Sequence, residues 1–315
     1  MKITLSIQNE TVPFPTASNP AQHLRNRQVL AARKSGVDLT TNVGIQVAIL
    51  LHMITEFVGA KEMLRSPYRL LQTGDSSAKL RKGETSIYGL AMPQYKAWFA
   101  GRYLGNVCAK AAGCVLSCIA NTGRYGIGAS AARIWVRALW STNRDLFLAL
   151  LNNELADLNA KAAKVDGSVA VRLNVTSDIR WERYINMSLY PNIQFYDYTK
   201  YTPKQRSGIA SNYDITYSVS GEWTVSDIVT AIANGSRLAM IVPTKDDASV
   251  TSITVGDTVI ACVNGDHSDE RFLDPSGVIV LLRVKRLTSK EHNQNAIYDG
   301  DMVRSNRTLE IIGNR

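Results

Sequence analysis

Cysteine is scarce in this chain, with four in 315 residues, and histidine is as scarce, also with four. So few thiols cannot make the dense disulfide framework of a small secreted domain, and they place the chain in a reducing compartment. Long apolar runs are missing as well. The most hydrophobic stretch, Val43 to Val58, is interrupted by Gln46, His52 and Glu56. It falls short of the ~20 apolar residues that a bilayer requires. It reads as a buried helix with Thr40 or Thr41 as N-cap. The first ten residues, Met1 to Glu10, alternate like a strand and have neither the apolar core nor the cleavage site of a signal peptide. A cytoplasmic protein without membrane contact is expected. Also absent are internal repeats, a Walker loop, and a glycine-rich dinucleotide fingerprint after a strand.

Against that background three of the four cysteines, Cys108, Cys114 and Cys118, lie within eleven positions of one small, apolar and basic stretch. Soft thiolates at such spacing are what iron–sulfur and zinc sites use. An iron–sulfur cluster is one reading. A structural zinc ion completed by Cys262 or His267 is a second. Buried thiols acting as small hydrophobes, with no metal, are a third.

The net charge of +9 is concentrated near the same place. From Arg81 to Arg144 nine Lys or Arg face the single acid Glu84. Tyr88, Tyr95, Trp98, Phe99, Tyr103, Tyr125, Trp135 and Trp140 are interleaved with them. Cations that neutralise phosphates beside rings that stack on bases point to single-stranded DNA or RNA as partner, with Arg102, Lys110, Arg124, Arg133 and Arg137 as the contacting residues. Equally weighted is a core of aromatics behind a solvated basic rim. Gly123 to Gly128 opens a helix and is a further place for a phosphate, or simply a turn.

Residues 1–84 read as a helix-rich N-terminal region ending in the polar segment Gly74 to Gly83, residues 85–290 as the main domain, and 291–315 as a tail. Beyond Ser86 short β-type runs recur at Ser86–Met92, Val169–Asn174, Gln194–Thr199, Tyr213–Val219, Leu238–Val242, Val259–Asn264 and Val278–Lys285. A long helical stretch from about Ala129 to Lys164 is broken near Ser141 to Arg144. Spacings of about 20 to 25 residues between the later strands suit crossover connections, so the expected fold is α/β, a full or partial (β/α) barrel of mostly parallel strands. Polar residues follow the strands, and in such folds the carboxyl ends share one mouth. Asn174, Asp178, Asp197 and Lys200 are therefore the candidate catalytic residues, with the bland alternative that they pair with neighbours or cap helices.

Three cysteines in the loop after the first strand of a partial barrel resemble radical S-adenosylmethionine enzymes, which implies a cluster with one open iron and that cofactor. The gaps here are five and three residues where that superfamily has three and two, and no acidic glycine-rich motif follows the second strand. A second resemblance rests on longer phrases. Asn121–Arg124, Ala170–Glu182, Phe195–Lys200, Asn212–Ser218, Asn264–Asp266 and Arg271–Asp274 are similar to an uncharacterised family of tailed-phage proteins, from about Ser86 to Lys285. That family implies an infected host cell, with a phage or host polymerase as the protein partner to consider. Two functions follow: an enzyme with a metal or iron–sulfur site modifying nucleic acid or nucleotides, or a non-enzymatic accessory protein that binds single strands.

Overall fold

A computed structural model of the chain describes residues 2–3, 37–38, 41–57, 69–74, 85–111, 114–118, 127–164, 168–220, 223–242 and 247–283. Strand β1 (Lys2–Ile3) pairs antiparallel with β2 (Val37–Asp38). Helix α1 (Asn42–Glu56) starts where Thr41 caps the Gly44 amide, as the Thr-then-apolar pattern predicts. The stretch predicted as one broken helix is two, α3 (Ile127–Thr142) and α4 (Arg144–Ala162), following the four-residue α2 (Cys114–Ser117). The break is at Asn143, whose side chain accepts the Leu146 amide and starts α4 afresh. Leu146, Phe147, Leu150, Leu151, Leu155 and Leu158 then give α4 a buried stripe at helical spacing.

The centre is a nine-stranded sheet, β3 (Leu71–Thr73), β4 (Ser86–Leu90), β7 (Val169–Arg172), β8 (Ile193–Thr199), β9 (Tyr213–Ser218), β10 (Arg237–Val242), β11 (Ser252–Val255), β12 (Thr258–Asn264) and β13 (Ile279–Arg283). Its order is β11-β12-β13-β10-β9-β8-β7-β4-β3. From β4 to β12 all neighbours are parallel. These are the strands that the apolar runs marked.

The expected closure is corrected: the sheet is open, not a full or partial barrel. A barrel needs its first and last strands to pair. Here β3 borders β4 and β11 borders β12, each antiparallel, and each stands at an edge. The connections β7 to β8 and β8 to β9 also run through short 3-10 turns, Trp181–Arg183, Met187–Leu189 and Pro203–Gln205, where a barrel would place crossover helices. Among the described residues no helix is long and apolar enough to cross a membrane.

Among the described residues, helices α1, α3, α4 and the later α5 (Val225–Ala233) pack on one face of the sheet. Val171, Phe195 and Tyr213 point into the core built with α1, α3 and α4. Leu238, Met240, Ile279 and Leu281 point the same way, into a second core under α5. The opposite face carries a much smaller apolar cluster among the described residues, Ile87, Ala170 and Tyr196, against which Phe272 packs.

Candidate functional site

Between β4 and α2 the chain makes a hairpin that stands apart from the large sheet, β5 (Lys96–Phe99) with β6 (Arg102–Asn106). Its two-residue turn, Ala100-Gly101, has φ of 49° and 76°. Both values are positive, as a turn matching the twist of a tight hairpin requires. Gly105, at φ 82°, lies beside the register shift between Lys96 and Trp98, which fits a glycine-containing β-bulge.

Alternation then separates the two faces of the hairpin. Ala97 and Leu104 are buried. Phe99 stacks at 5.1 Å on Phe57 and 5.0 Å on Trp135. On the other face Trp98 is 60 % exposed and Tyr103 48 % exposed, directly opposite each other in register with ring centroids 4.9 Å apart. Lys96 is exposed on that face with its ammonium 5.3 Å from the Tyr95 ring, and Arg102 is exposed at the turn, ion-paired with Glu56.

The cations named from the sequence therefore separate. Arg102 is on the surface, Lys110 is half-buried after β6, and Arg133 is half-buried on α3. Arg124, with Gly123 and the rest of 119–126, lies outside the described residues. Arg137 is 0 % exposed, and its guanidinium donates to the Leu104 carbonyl at 3.2 Å and the Tyr95 carbonyl at 3.3 Å. It fastens the hairpin from beneath. The aromatics divide likewise, Trp135 and Trp140 buried, Trp98 and Tyr103 exposed. Neither of those two exposed residues was singled out among the contacting residues. The available signal was the Lys-x-Trp and Arg-Tyr pairs flanking Ala100-Gly101.

At the carboxyl ends of β7 and β8 the structure brings Asn174, Asp178, Asp197 and Lys200 together with Cys108. Asp197 accepts the Asn174 amide at 2.7 Å, the Asn174 side-chain amide at 3.3 Å and the Tyr213 hydroxyl at 2.8 Å. It is 1 % exposed. Burial, against the pull of Arg172 and these donors, pushes its carboxyl up to about 7. Asp178 accepts the Thr199 hydroxyl at 2.7 Å and the Lys200 amide at 3.0 Å, and its own amide donates to the Val107 carbonyl. Asn174 holds the Ile179 amide and the Trp181 indole on one oxygen. These contacts lace β7, β8 and the loop between them to the cysteine segment. An Asp197 so enclosed braces the strand ends and offers no oxygen to a solute.

Cys108, Cys114 and Cys118 occupy one neighbourhood, near enough that the other two both act electrostatically on the Cys108 thiol. The Cys108 sulfur accepts the Tyr95 amide at 3.3 Å and faces the Thr176 carbonyl at 3.9 Å. Burial pushes its thiol up to about 12. Among the described residues no group of three or more His, Cys, Asp or Glu side chains is placed to hold a metal ion. Cys262, on β12, and His267 belong to the far side of the sheet order. The iron–sulfur, zinc and radical S-adenosylmethionine expectations thus gain no support from the described residues.

The sequence model of a family described as Gene product 88 matches residues 66–300. No curated protein and no solved structure matches the chain.

Proposed function

The chain belongs to the Gene product 88 family, an uncharacterised family of phage type, and we propose that it serves the phage as a binder of single-stranded nucleic acid through the β5–β6 hairpin. The observation that carries this reading is the outward Trp98–Tyr103 pair, with Lys96 on the same face and Arg102 at the turn beside it. Large rings held in water by a rigid two-stranded frame forgo the burial that aromatic residues usually gain. Stacking with a base recovers it, at about 1–3 kcal/mol per base, with little dependence on sequence because every base has a π-face. The neighbouring cations meet the phosphates. The half-buried Phe99 and the buried Leu104 and Arg137 anchor the platform without touching the strand.

Fluorescence anisotropy with a labelled single-stranded oligonucleotide tests this at low salt. The Trp98→Ala, Tyr103→Ala double variant is expected to bind at least tenfold more weakly while unfolding at the same temperature. Wild-type protein that shows no binding, or a double variant that binds equally well, refutes the reading.

A further inference from the structure

We propose that the face of the sheet opposite α1, α3, α4 and α5 binds the phosphate group of a small molecule, received by the Arg172 guanidinium above the Tyr198 ring at the carboxyl ends of β7 and β8. This does not depend on the hairpin reading.

The three buried arginines on the strands and loops of this half of the molecule each have a carboxylate of their own. Arg206 reaches Glu182 at 2.7 Å, Arg237 reaches Asp214 at 2.6 Å, and Arg271 reaches Asp274 at 3.0 Å. Arg172 has none. Its guanidinium lies 4.9 Å from the Tyr198 ring centroid, its Nε is buried without a hydrogen-bond partner, and it forms no ion pair among the described residues. Asp197 and Asp269 act on it only through space. A guanidinium carries five donors in a planar fork that matches an oxyanion. Against burial, Tyr196, Tyr198, Asp269 and Asp197 act through space and hold the guanidinium charged, but none accepts a hydrogen bond from its Nε. An incoming phosphate supplies the missing acceptor.

The surroundings fit that guest. Tyr198 and Thr216 are paired in register on adjacent strands and so share the face with Arg172. The Thr216 hydroxyl is wholly buried and also lacks a partner. Burial pushes the Tyr198 phenol up to about 12 although Arg271 and Arg172 both pull it down, so it stays protonated as a donor. The 3-10 turn Arg271–Leu273 lies across β8 and β9, where Phe272 meets Tyr196 at 5.3 Å, so this face has a wall on one side. Arg172 and Tyr198 lie at the carboxyl ends of β7 and β8, the side of an open parallel sheet on which ligands are received, although the strand order reverses elsewhere, at β13 and β12.

Isothermal titration of the full chain with inorganic phosphate and, separately, thymidine 5′-monophosphate tests the proposal. Wild-type protein is expected to bind at least one of them at millimolar concentration or better. Arg172→Gln should abolish the binding, Tyr198→Phe should weaken it at least threefold, and Trp98→Ala should leave it unchanged. A nucleotide bound tenfold more tightly than phosphate identifies a nucleotide as the source of the group, and equal affinities identify the phosphate alone. Should Arg172→Gln fail to fold, Arg172→Lys keeps the charge and loses the fork, and is expected to bind at least fivefold more weakly. No heat with either ligand, or wild-type affinity in a folded Arg172 variant, overturns the proposal.

Discussion

A carboxylate with three hydrogen-bond donors around it is usually held ionised, yet burial wins at Asp197 and its carboxyl rises to about 7 from the ordinary 3.8. Between those values the unfolded chain has lost the proton and the folded chain has kept it. The unfolding free energy therefore falls as pH rises from about 4 to about 7, and above that this group adds no further slope. Denaturant titrations across that range should show the decline, and Asp197→Asn should flatten it. An unchanged slope in the variant would assign the titration to another group. Cys108 makes a second case. With its thiol pushed up to about 12, on the order of one molecule in ten thousand carries the thiolate at pH 8. Peptide mapping after iodoacetamide treatment of the folded protein should recover Cys108 unmodified, and fast alkylation there would show that the segment around it opens.

Ala100 holds φ of 49° in the β5–β6 turn, a region that a β-branched residue tolerates poorly. Ala100→Val is expected to destabilise by about 1 kcal/mol or more, while Ala100→Asn should be neutral or stabilising by up to about 1 kcal/mol, read from urea midpoints. The hairpin's two arginines make the opposite pair. Arg102 and Glu56 are 48 % and 33 % exposed at their side chains, so Arg102→Ala should change stability by no more than about 1 kcal/mol. Arg137 supplies two carbonyls with donors from a buried position. Arg137→Ala should cost about 2–4 kcal/mol, chiefly by leaving a void, with one of two donors lost at each carbonyl while the Ser141 hydroxyl and the Val107 amide remain, and should weaken oligonucleotide binding through the displaced hairpin. Arg137→Ala with wild-type stability would contradict the anchoring role.

For the whole molecule, the net charge of +9 attracts any polyanion, but only cations at the interface release counterions. If Lys96, Arg102 and Lys110 each meet one phosphate, log affinity against log salt should fall with a slope of about −2, from roughly −0.7 per phosphate on a single strand. A flat dependence would mean that stacking acts without the charges. The strand ends add a second contrast at this scale. Replacing Trp98 should affect oligonucleotides and spare small phosphates, and replacing Arg172 should do the reverse, because the two groups belong to different elements of the fold.

Local signals determined much of the architecture. The β-rich apolar runs specified β4, β7, β8, β9, β10, β12 and β13, and Thr41 and Asn143 specified where α1 and α4 begin, since a cap or an apolar period acts within a few residues of itself. The long phrases after Ser86 pointed to the phage-type family on the same terms. Tertiary structure alone decided the rest. Whether a row of parallel strands closes depends on what its edges pair with, and β3 and β11 pair in the antiparallel sense that leaves the sheet open. Close spacing put Cys108, Cys114 and Cys118 in one segment, but that the Cys108 sulfur meets the Tyr95 amide and the Thr176 carbonyl depends on the fold and not on spacing. Trp98 and Trp135 are the same residue type in the same basic region, one outward and one in the core. Arg137 and Arg172 are equally alike in sequence, and burial against carbonyls in one case and a missing carboxylate in the other separates them. Those differences come from partners distant in the chain, which only the assembled sheet and its helical layer bring within reach.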